Sequence, residues 1–234
     1  MIFLVAGSKG AVEMISFRHL LVAGLLSAAV LWGAPSHGGV AEGKKAFDAN
    51  RCSLCHQVEG PAKEKTIKDQ LAKKGPELWY SGSKFKAGFL EKWLTSPRPI
   101  RPLAYNSITE KNRGEHPGLS KKDASDVAAY LMTLKSPEVK PLGIPAAENP
   151  RGRIIFLKKQ SCYGCHSMRV RGKMAGGLSG PTFAGASERL NPDWVYAYLK
   201  DPRAFKPVKM MPVYSGILNE AEIKELASYV GSLN

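Results

Sequence analysis

Cys52-Ser-Leu-Cys55-His56 is the stretch that decides the fold, and it returns as Cys162-Tyr-Gly-Cys165-His166. Two cysteines two residues apart, followed at once by histidine, form the attachment pattern of a c-type haem. Each thiol adds to one vinyl group of the porphyrin, and the next residue is then near enough to ligate the iron. The two pentapeptides use all four cysteines of the chain, so no thiol remains for a disulfide. One zinc site made from both Cys-x-x-Cys pairs would leave the two following histidines without a role. A thioredoxin-like dithiol needs only one such pair. The cofactors read from the motifs are therefore two covalent c-type haems, held by Cys52, Cys55, Cys162 and Cys165, with His56 and His166 as iron ligands.

The chain has 234 residues, enough for two small domains. Residues 1–41 read as an export signal: Arg18 supplies the positive flank, Leu20 to Leu31 the apolar run, and Gly39-Val40-Ala41 a cleavage site. Met14 is a natural start for such a signal. The run is short for a membrane span, which takes about 20 residues. The expected location is the periplasm, either soluble or anchored by an uncleaved N-terminal segment. Loss of Lys9, Arg18 and Glu13 takes the formal charge from +14 to +13. So basic a chain favours redox protein partners with acidic docking faces, or an anionic membrane surface, and export with haem argues against nucleic acid.

The rest divides into two similar units, 42–136 and 151–234, around a proline-rich linker at 137–150. In the first, residues 42–48 predict a short helix with Phe47 inward. Phe89, Leu90, Trp93 and Leu94 form one apolar stripe that Pro97 ends. Pro61 to Lys74 reads as loop or weak helix. A last helix starts after Ser120, with Val127, Tyr130, Leu131 and Leu134 on one face. In the second unit, Trp194, Val195, Tyr198 and Leu199 repeat the stripe, and Ile223, Leu226, Ala227 and Val230 repeat the last face after Asn219. The offset between equivalent residues is 110 at the Cys-x-x-Cys-His motifs, 105 at Gly75-Pro76 and Gly180-Pro181, and 99 at Tyr130 and Tyr229. A five-residue length difference thus follows the motif, and the first unit carries six extra residues between Pro102 and its last helix.

Each unit resembles a class I cytochrome c domain. The likeness rests on the haem motif near the first helix, the Gly-Pro in the middle, and the closing helices with Ala128-Ala129-Tyr130-Leu131 and Ala227-Ser228-Tyr229-Val230. The resemblance implies an all-α tandem dihaem protein in which first and last helices cross, and in which Pro76 and Pro181 orient the histidines through a carbonyl. It also implies a distal ligand from the loop before the last helix. In the second unit Met211-Pro212 fits that role, with Met210 as the alternative. In the first unit Tyr105 and Asn106 stand at the equivalent positions, and Met132 lies inside the closing helix. His116-Pro117-Gly-Leu-Ser120 occupies the place of a Met-Pro-x-x-Leu-Ser segment. His116 is thus the expected distal ligand of a bis-histidine, low-potential haem, beside a histidine/methionine haem of higher potential.

The leading expectation is a carrier of single electrons between respiratory partners, with no catalytic residues. The alternatives are a dihaem subunit of a membrane quinol-oxidising or terminal reductase complex, and a dihaem peroxidase with an open iron position assisted by Glu110 or Glu115. Dehydrogenases that use a distal cysteine are excluded, since no cysteine is spare.

Overall fold

The computed structural model describes residues 39–208 and 211–234. Most of the export-signal reading, and Met210, fall outside them. The architecture is predominantly helical with one small two-stranded sheet. No helix among the described residues is long and apolar enough to cross a membrane.

The first half runs through α1 (Val40–Ala49), α2 (Ile67–Ala72), α3 (Ser81–Lys84), α4 (Phe89–Thr95) and α5 (Lys121–Thr133). The second runs through α6 (Pro150–Ile154), strands β1 (Ser167–Val170) and β2 (Lys173–Gly176), α7 (Ala186–Arg189), α8 (Pro192–Lys200) and α9 (Glu220–Val230). The caps read from the sequence are in place. Ser120 accepts from Asp123 N, and Asn219 forms a reciprocal capping box with Glu222.

In each half the first and last helices cross at a glycine. A Cβ on Gly43 would lie 2.0 Å from Asp126 O, and one on Gly152 would lie 2.2 Å from Glu225 O. Only a residue without a side chain lets the two backbones approach that closely. One turn along, Phe47 packs edge-on against Tyr130 at 5.6 Å between ring centres, and Phe156 against Tyr229 at 5.5 Å.

Phe47 and Phe156 are 109 apart, but the haem motifs are 110 apart. The second half absorbs the extra residue as a π turn over Ile155–Lys159, in which Gln160 N donates to Ile155 O. After the motif it is the first half that is longer by five residues. Its residues 57–74 include α2, whereas residues 167–179 of the second half include the β1–β2 hairpin. The linker is tied down. The Asp193 carboxylate accepts from the backbone N–H groups of Leu142, Gly143 and Ile144.

The halves meet about an approximate two-fold axis. Phe85 and Leu190, which are equivalent residues 105 apart, face each other in an antiparallel bridge. Around them the hydrogen bonds are reciprocal: Lys86 N donates to Arg189 O at 3.0 Å, and Asn191 N donates to Lys84 O at 2.9 Å. Residue i bonding j while the equivalent of j bonds the equivalent of i is the mark of an isologous contact. The filling of the seam is not symmetric. Trp79 and Tyr80 of the first half are buried in the second half's core with Trp194 and Phe205. Their equivalents are Ala184 and Gly185.

A buried ion cluster also crosses the seam. The Glu77 side chain is fully buried and takes Lys73 at 2.5 Å from its own half and Lys206 from the other. Burial by itself raises the Glu77 pKa. The Lys206 charge and hydrogen bonds from Lys206 and Lys73 more than offset this and hold it at about 2.

Gly43→Ala or Gly152→Ala should each destabilise the fold by about 1–3 kcal/mol through overpacking, in chemical denaturation. Gly164→Ala, whose Cβ would meet nothing within 4 Å, should change stability little. Glu77→Gln should cost about 3 kcal/mol by leaving Lys206 buried without its charge partner. Because the folded-state value lies below the ordinary 4.5, the Glu77 contribution is present above pH 4.5 and fades as pH falls towards 2. Stability of the wild type should therefore drop more steeply than that of the variant across that window.

Candidate functional site

Each Cys-x-x-Cys-His motif opens on a residue in the left-handed region, Arg51 (φ 53°) and Ser161 (φ 47°). This kink turns the chain out of the first helix into a single 3₁₀ turn, Cys52–Leu54 or Cys162–Gly164. The first cysteine of each motif, Cys52 or Cys162, then packs against its domain core, while Cys55 and Cys165 are exposed. The following amide closes the turn: His56 N donates to Cys52 O, and His166 N to Cys162 O. Two thiols at different depths and one imidazole are thereby presented on one short loop.

The imidazoles are oriented by the Gly-Pro segments. His56 Nδ1 donates to Pro76 O at 2.8 Å, and His166 Nδ1 donates to Pro181 O at 2.7 Å. A carbonyl can only accept, so Nδ1 carries the proton and Nε2 keeps its lone pair for a metal. Burial lowers the pKa of both rings, which favours the neutral form. The preceding glycines give the rings room. A Cβ on Gly75 would lie 3.0 Å from His56 Cε1, and one on Gly180 would lie 2.5 Å from His166 Cε1. Phe183 stacks on the His166 ring at 4.5 Å.

His116, an exposed side chain, is brought close to His56. Its ring centre is 6.0 Å from that of His56, and Trp93 of α4 lies 4.7 Å from it. Its Nδ1 donates to Pro117 O at 2.9 Å, which leaves Nε2 free here too. Two imidazoles sharing one metal, each bound at about 2 Å, have ring centres about 6 Å apart. The Tyr105-Asn106 segment is engaged elsewhere. Asn106 Nδ2 donates to Gln70 O and Lys73 O, and Gln70 Nε2 donates to Tyr105 Oη. Met132 packs against the first core from within α5. In the second half Met211 is half-buried and packs against the second core. Glu110 and Glu115 are both exposed.

The seam contributes polar groups that the sequence reading missed. Trp79 Nε1, Tyr80 Oη, Trp194 Nε1 and Arg101 Nε are buried without a hydrogen-bond partner among the described residues. Lys84 Nζ lies over the rings of Phe85, Trp194 and Tyr80 at 4.9, 5.0 and 5.9 Å. Burial, then the charges of Lys206, Arg189 and Arg101, push it down to about 7 against the pull of Glu77. Lys84 with Arg189, and Arg101 with Lys206, are equivalent pairs 105 residues apart. Unpaired buried donors beside clustered cations call for anionic acceptors, which the two carboxylates of a haem supply. The residues present therefore fit the group that the cysteines would attach.

Paired helical domains, each presenting two thiols and a carbonyl-oriented imidazole on one turn, define a fold for covalent haem. A family model described as cytochrome c matches residues 40–135 and again residues 150–234, and the chain belongs to the cytochrome c family. A comparison with curated proteins found no match.

Gly180→Ala should displace the His166 ring and broaden or shift the absorption of the second haem in the purified protein. Gly75→Ala should have a smaller effect on the first, since its Cβ has more room.

Proposed function

We propose that the protein carries two covalent haems and passes single electrons between respiratory protein partners outside the cytoplasm, with acidic faces on those partners. The observation that carries this reading is the pair of imidazoles 6.0 Å apart, each with Nδ1 committed to a carbonyl. An iron held by both His56 and His116 would have no open position for a substrate in the first half, which favours a carrier over a peroxidase there. A haem bound there supplies a reversible one-electron couple.

The role of the protein's own residues is to hold that couple still. Pro76 and Pro181 fix the imidazoles through their carbonyls, and Trp93 backs His116 so that it does not swing away. Met211 is the second half's distal ligand in this reading. A thioether stabilises ferrous iron relative to a second imidazole, so the first haem is the low-potential entry and the second the high-potential exit. Trp79, Tyr80, Trp194 and Phe205 close the seam between the two halves against water.

In His116→Ala, the low-spin spectrum of the first haem should become high-spin and that haem should bind carbon monoxide rapidly. The second haem's methionine-to-iron charge-transfer band should persist. An unchanged spectrum would remove His116 as a ligand.

A further inference from the structure

The β1–β2 hairpin has no counterpart in the first half. Its register pairs Arg169 with Met174 and Val170 with Lys173, and its two-residue turn is Arg171-Gly172. Both turn residues have positive φ, 48° and 78°, which matches the twist of a tight hairpin. The base is fixed to the motif that precedes it. Ser167 follows His166 directly, and its carbonyl accepts from Phe183 N and Thr182 Oγ1. At the other end Gly177 N donates to Tyr163 O, inside the Cys162–His166 turn. A two-stranded hairpin is marginal alone, so these bonds are what make it a rigid projection.

Only the base is used by the core. Ser167 and Met168 are buried, whereas every residue from 169 to 176 is exposed. Arg169, Arg171 and Lys173 fall within five residues, and none makes an ion pair among the described residues. Val170 and Met174, 45% and 51% exposed, lie on opposite faces of the hairpin, Val170 opposite Lys173 and Met174 opposite Arg169. Three like charges on one rigid tip repel one another, and their one side-chain hydrogen bond among the described residues is the long one from Arg169 Nη1 to Gly172 O at 3.5 Å. Each face thus carries one cation beside one apolar side chain, with Arg171 at the tip between them, and a projecting cationic element mounted on the haem-attaching turn has the composition of a transient docking surface.

We propose that residues 169–174 dock the acidic face of a redox protein that exchanges electrons with the second haem. This rests on the electron-transfer reading given above. One electron passes to a one-electron acceptor in the partner, which is reduced as the second haem is oxidised; no bond or proton changes hands. The cations steer approach, and the apolar side chain of the face that meets the partner makes the brief contact. An anionic lipid surface would attract the same charges. It would gain nothing from their placement at the Cys162–His166 turn, and two apolar residues are too few to insert.

The test uses the dihaem protein on an electrode coated with a carboxylate-terminated monolayer. Arg169→Glu/Arg171→Glu/Lys173→Glu is compared with an equally charged control, Lys45→Glu/Lys135→Glu/Lys140→Glu, both first checked for intact haem absorption and helical circular dichroism. The hairpin variant should lose about tenfold or more in the electron-exchange rate of the second haem, with a flatter dependence on ionic strength. The control should match the wild type. Equal rates for hairpin variant and control would overturn the docking role. Equal rates together with lost binding of the hairpin variant to phosphatidylglycerol vesicles would assign the hairpin to a membrane instead, and also overturn it. If the wild type itself exchanges no electrons at carboxylate or ammonium surfaces, the electron-transfer reading fails first, and the docking role with it.

Discussion

The bond from His56 Nδ1 to the Pro76 carbonyl, and its twin from His166 to Pro181, is the constraint around which the rest is arranged. A histidine next to two attached cysteines can rotate, and only a fixed second partner makes its Nε2 point one way. Here that partner is a backbone carbonyl, which a Gly-Pro segment brings back under the motif in each half. The glycine lets the segment touch the ring, and the proline's carbonyl does the fixing. Helix crossings at Gly43 and Gly152 then hold the motif and the closing helix in register, because both follow from the same two helices.

The two-fold relation explains why two similar halves behave as one body. Equivalent residues Phe85 and Leu190 meet on the axis, so each bond on one side has its mate on the other. Symmetry alone would give both halves one environment. Trp79 and Tyr80 break it by entering the second core, and Glu77 breaks it by taking Lys206 across the seam. The first half has His116 and no hairpin, and the second has a hairpin and Met211. Two halves that match the same family model thus differ in the residues around their motifs.

Much of this was legible in the sequence. The motifs, the Gly-Pro offset and the i, i+3, i+4, i+7 faces are local signals, and the helices built on them formed where Ser120, Asn191 and Asn219 cap them. The six-residue expansion pointed to His116, and the structure places that ring near His56. The seam was not legible. Trp79, Tyr80 and Lys84 carry no periodicity, and their burial depends on contacts with residues over 100 positions away. Gly43 and Gly152 could have been found, since both sit in equivalent turns of the first helices. The length difference after the motif was visible only as a number; its assignment to α2 in one half and a hairpin in the other required three dimensions.

In the proposed function two haems are differently ligated and therefore differently poised. A spectropotentiometric titration followed by near-infrared magnetic circular dichroism reads ligands and potentials together. The account predicts two waves, the lower belonging to a bis-histidine haem and the higher to a histidine/methionine haem. A single ligand signature, or the bis-histidine haem at the higher potential, would contradict it.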